Sequence, residues 1–131
     1  MPLWSGGISL GSVAGRAARK AEYKRECCTL LVLAGAQADS RGALLHKAAD
    51  FAMELCCAQT AGISLIERAG EEDVFRWHMV AGRFADLRGL TTRCNECPCA
   101  VVLEAGEPLL FTAVATDFPF SRRCAAVCAK L

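Results

Sequence analysis

Residues 61–81 read AGISLIERAGEEDVFRWHMVA, and this stretch decides the fold. Residues 61–67 form a mostly apolar run bounded by turn formers, the pattern of a strand. Residues 68–73 are polar and contain Gly70, which predicts a turn. From 74 to 81, Phe75, Trp77, Met79 and Ala81 alternate with Arg76 and His78. A period of two is that of a half-buried strand. Two strands joined by a short polar turn predict an antiparallel hairpin.

Upstream of the hairpin the period changes. From 43 to 58, apolar residues recur at Leu44, Leu45, Ala48, Ala52, Leu55 and Cys56. That spacing predicts an amphipathic helix packing one side onto a sheet. Asp39-Ser40-Arg41-Gly42 reads as a break carrying capping residues. Residues 16–38 are rich in helix formers and predict an N-terminal helix ending near Gly35. Residues 1–15, with their Gly and Ser, read as an irregular leader without the basic start of a signal peptide.

Downstream, residues 82–96 read as a loop. Pro98 suits the first position of a helix, and Gly106 suits its end. Residues 109–112 read as a short strand, and the tail at 121–131 is ambiguous. The fold class is therefore α+β, with N-terminal helices flanking an antiparallel sheet and a single domain over residues 39–120.

Composition narrows the function classes. The 131 residues include 15 basic and 14 acidic ones, far from the basic footprint of a nucleic-acid binder. Arg16, Arg19, Lys20, Lys24 and Arg25 cluster against Glu22 and Glu26, which reads as a solvated helix face. The longest apolar stretch, at 27–38, is too short to span a bilayer. Nine cysteines, an odd number with adjacent pairs at Cys27-Cys28 and Cys56-Cys57, make a poor disulfide framework. A reducing, cytoplasmic setting is the expectation. The sequence carries no Walker glycine loop and no Gly-x-Ser-x-Gly elbow.

The ordered pieces resemble the GAF family of small sensory and regulatory domains. They are Ala52 to Ala58 (AMELCCA), Ala61-Gly62-Ile63-Ser64-Leu65, Phe75-Arg76-Trp77, Val80-Ala81-Gly82, and Cys97 to Pro108 (CPCAVVLEAGEP). The last is similar to the Ser-Pro-Cys-Gly helix start of bacterial sensor domains, with Cys97 and Ala100 in place of Ser and Gly. The resemblance implies a GAF-like antiparallel sheet, of which only three of six strands are visible before Phe120. It implies in turn a partial domain missing its last strands. It also implies a small-ligand pocket roofed by the loop at 82–96 and the helix after it. Trp77, Met79, Arg93, Cys97 and Cys99 are the candidate ligand-binding residues. The expected partners are a small molecule and a second copy held through the N-terminal helices, with no nucleic acid and no membrane. No catalytic machinery is expected in this reading.

Two alternatives centre on the cysteines. One branch of the GAF family reduces free methionine sulfoxide, and Cys99 resembles its nucleophile, with Cys94 or Cys97 to resolve it. Thiol–disulfide exchange needs such close pairs, and a helix N-terminus depresses a thiol's pKa. Alternatively, Cys94, Cys97, Cys99, Cys124 and Cys128 supply enough thiolates for a zinc-binding interaction module. A cysteine-linked bilin is disfavoured, because neither His46 nor His78 adjoins a cysteine.

Overall fold

The computed structural model describes residues 7–12, 14, 17 and 20–118. It is α+β, with two antiparallel sheets. The ambiguous tail at 121–131, with Cys124 and Cys128, lies outside the described residues, as do residues 1–6 and most of 13–19.

The larger sheet has the order β2 (Thr60–Ala69), β3 (Glu72–Gly82), β4 (Thr91–Arg93). The predicted hairpin is present, with longer strands and a tighter turn. Only Gly70 and Glu71 lie between the strands, and Gly70 has φ +66°. A glycine at the first position of a two-residue turn is the pattern whose twist matches that of paired strands. The strict alternation expected for β3 gives way to burial on both faces at its ends. Val74 and Phe75 are buried at one end, and Met79, Val80 and Ala81 at the other.

The chain divides into two compact units, and β2 and β3 lend residues to both. The unit comprising residues 18–65 and 77–90 holds the two long helices. Here α1 spans Tyr23–Gly35 and α2 spans Arg41–Leu55, with a 3-10 turn at Ala36–Ala38 between them. The helix expected over 16–38 thus begins later. Residues 20–22 are exposed and non-helical. Helix propensity without a packed face does not hold a helix in water.

Ser40 starts α2 as read, its Oγ accepting a hydrogen bond from the Ala43 amide at 3.2 Å. The helix ends in a Schellman motif. The Ala58 amide donates to the Met53 carbonyl and the Cys57 amide to the Glu54 carbonyl. Cys57 takes the left-handed position there, at φ +49°. The inward face of α2 differs from the expected stripe. Ala49 is buried with Met79 and Ala81, and Leu45, Met53 and Ile63 pack against them. Ala52 and Cys56 are exposed. The helix does pack on the hairpin, rotated from the face that the sequence suggested.

The unit comprising residues 1–17, 66–76 and 91–131 holds most of the remaining short elements. Two were unread in sequence. β1 (Leu10–Gly11) comes from the supposed irregular leader and pairs with β5 (Leu110–Phe111). β4 comes from the supposed loop and pairs with β3, Phe75 opposite Thr92. The third strand of the larger sheet is therefore β4, and the strand read at 109–112 belongs to the two-stranded sheet. Helix α3 (Pro98–Ala105) has Pro98 at its start and Gly106 at its end with φ +68°, as predicted. A short α4 (Val114–Asp117) leads to Phe118, which is fully buried edge-on to Phe111 at 5.4 Å.

Candidate functional site

The thiols of the sharpest sequence cluster lie where β4 runs into α3. β4 ends at Arg93, a 3-10 turn occupies Cys94–Glu96, and Cys97 is the N-cap of α3. Cys97 is extended, at φ −132° and ψ 153°, the conformation that an N-cap requires. Pro98 follows it at the first helical position, where a missing N–H costs no hydrogen bond. The local sequence thus fixes Cys97 at the start of the helix and Cys99 in its first turn.

Cys97 is fully buried, whereas Cys94 and Cys99 are half-buried. All three thiols are free. Burial alone would raise a thiol's pKa. For Cys97 the surroundings reverse that effect, and its pKa falls to about 6. The Cys99 thiol makes the largest contribution, by donating a hydrogen bond to the Cys97 sulfur. The Thr92 hydroxyl and the amides of Ala100 and Cys99 add to it. No conventional capping hydrogen bond closes from the Cys97 side chain, so these amides act through the field of the helix start.

Thr92 has one hydroxyl proton and two acceptors. Its bond to the Phe75 carbonyl is long, at 3.5 Å. An anionic sulfur attracts the proton more strongly than a neutral carbonyl does, so the hydroxyl turns to Cys97 once that thiol ionises. Thr92 is buried and held in register by the β3–β4 pairing.

Cys94 behaves in the opposite way. Its thiol donates to the Asp73 carbonyl at 3.2 Å, which favours the protonated form. Its pKa is raised, first by burial and then by the charges on Cys97 and Asp73. Neighbouring thiols driven apart in pKa are suited to different roles, one ionised and one protonated.

The remaining candidates fall elsewhere. Arg93 is two-thirds exposed and pairs with Glu72 at 3.6 Å. It shares the unit of the three cysteines, whereas Trp77 and Met79 belong to the other. Trp77 lies over Gly62, where an added Cβ would come within 2.9 Å of the indole ring. Met79 is a core residue of its unit. Among the described residues no three Cys, His, Asp or Glu side chains are grouped to hold a metal ion. Sequence reasoning missed Thr92. Its strand position was hinted at by the Thr-Thr pair, but its approach to Cys97 depends on register. No family model, curated protein or solved structure matches the chain.

Proposed function

We propose that this chain is a regulatory sensor module that responds to oxidising conditions through Cys97 and Cys99. The observation that carries this reading is the Cys97 sulfur, fully buried yet held as a thiolate by the thiol beside it. The helix, hairpin and helix order of α2, β2, β3 and α3 accords with the GAF resemblance and supports a sensory role. The exposed part of Cys99 meets solvent first.

The chemistry follows from that arrangement. The Cys97 thiolate accepts the proton of Cys99, and the Cys99 thiolate attacks the terminal oxygen of a hydroperoxide. The O–O bond breaks, Cys99 becomes a sulfenic acid, and the alkoxide leaves as an alcohol with the proton now on Cys97. The Cys97 thiolate then attacks the Cys99 sulfur. A disulfide forms, and the displaced hydroxide takes a proton from solvent, the one that Cys97 released on ionising, and leaves as water. Two thiols are oxidised and one peroxide is reduced. Residues two apart at a helix start have Cα atoms about 5–6 Å apart, within disulfide reach. Closing the bond removes the negative charge at the start of α3 and tethers its first turn to the N-cap.

Stoichiometric peroxide followed by peptide mapping tests this reading. The expected result is a Cys97–Cys99 disulfide, reversed by dithiothreitol and absent in Cys99→Ser. Oxidation that spares both residues while pairing the exposed cysteines would overturn it. Sustained turnover of free methionine sulfoxide, lost in Cys99→Ser, would instead make the pair catalytic.

A further inference from the structure

Helix α1 turns an apolar stripe outward. Thr29 is its buried residue, and Glu26 and Leu33 are half-buried on the same side. Outward lie Tyr23, Cys27, Leu30, Leu31 and Ala34, a continuous stripe at helical spacing. Tyr23, Leu30 and Leu31 are 75%, 65% and 72% exposed. A face this apolar on an exposed helix marks an interaction surface.

The charges nearby select the partner. Arg16, Arg19, Lys20 and Lys24 gather at the start of the helix in sequence. Lys20 and Lys24 are exposed and enter no ion pair among the described residues. Arg25 is committed to Glu22 and Glu54. In an antiparallel pair of α1 helices, the second copy's helix offers this cluster no free carboxylate. α1 has no carboxylate after Glu26, and the next one, Asp39, is engaged by Lys47. Parallel self-pairing would bring the basic ends together.

We propose that α1 docks on an anionic lipid surface, its apolar stripe lying in the headgroup region and its N-terminal lysines among the lipid charges. An exposed stripe of Leu and Tyr with two exposed lysines at one end suits the interface of an anionic bilayer. No helix among the described residues is long and apolar enough to cross a membrane. The absence of a spanning segment underlies the expectation of no membrane partner, and lying on the surface needs no span. This docking is independent of the thiol chemistry.

The test is flotation of the full chain with phosphatidylcholine vesicles, with and without about one-fifth phosphatidylserine. Binding is expected only to the anionic vesicles, weakening with added salt. Lys20→Gln with Lys24→Gln should weaken it roughly thirtyfold, and Leu30→Ser with Leu31→Ser should abolish it. These four residues are exposed, and circular dichroism checks that the variants stay folded. Equal binding to neutral and anionic vesicles would overturn the proposal. So would no vesicle binding, with or without a stable dimer in light scattering that Leu31→Ser dissolves.

Discussion

Cys97 and Thr92 show how a few contacts change a side chain's chemistry. A buried thiol surrounded by apolar groups would stay protonated. Here one thiol, one hydroxyl and the start of a helix hold the charge instead. Because the folded pKa lies below the ordinary thiol value, the thiolate stabilises the fold most fully above pH 9. That contribution fades as pH falls towards about 6. Urea unfolding under reducing conditions should therefore show wild type gaining on Cys97→Ser between pH 6 and 9. The gain at neutral pH is on the order of 1 kcal/mol. A flat difference across that window would contradict the assignment. Thr92→Val should move the Cys97 pKa upward, which alkylation rates of the unit's thiols against pH would detect. At Gly82, with φ +79°, an added Cβ would meet the Gln59 carbonyl oxygen at 2.2 Å. Gly82→Ala should destabilise by about 2–4 kcal/mol in chemical denaturation.

The elements differ in how plainly the sequence announces them. The hairpin was legible because Phe75, Trp77 and Met79 alternate and Gly70 stands between two apolar runs. α3 was legible because Pro98 and Gly106 bracket it. β1 and β4 were not, because strands of two and three residues carry no measurable period and exist through their partners. The start of α1 was misplaced because helix propensity continues upstream while packing does not. The face of α2 was misread because Leu44 and Leu45 are adjacent, and the sheet selects the row through Leu45, Ala49 and Met53. At the site, the cysteine spacing was visible in sequence, but the difference between a raised Cys94 and a lowered Cys97 depends on hydrogen bonds across elements. α2 gives an element-scale prediction. Cys57 occupies a left-handed position that glycine adopts without strain, and it is exposed. Cys57→Gly should raise stability by about 0.5–1 kcal/mol, read as a higher urea midpoint. Ser40→Ala should lower it by about 1 kcal/mol.

At the scale of the whole molecule, the chain forms two small units. One is built on α2 against the hairpin, with Met79 at its core. Met79→Ala should cost about 2–5 kcal/mol in thermal or urea unfolding, and a loss under 1 kcal/mol would refute that core assignment. The other unit holds Thr92 and the three thiols. Exposed cysteines elsewhere, such as Cys27, Cys28, Cys56 and Cys57, lack the arrangement that surrounds Cys97. The central claim is that one thiol in the reduced chain is already ionised at neutral pH. Thiolate absorbance in the ultraviolet, followed against pH and taken as wild type minus Cys97→Ser, tests it most directly. The account predicts a single step in the difference curve centred near pH 6. A step appearing only in the ordinary thiol range, above about pH 8, would contradict it.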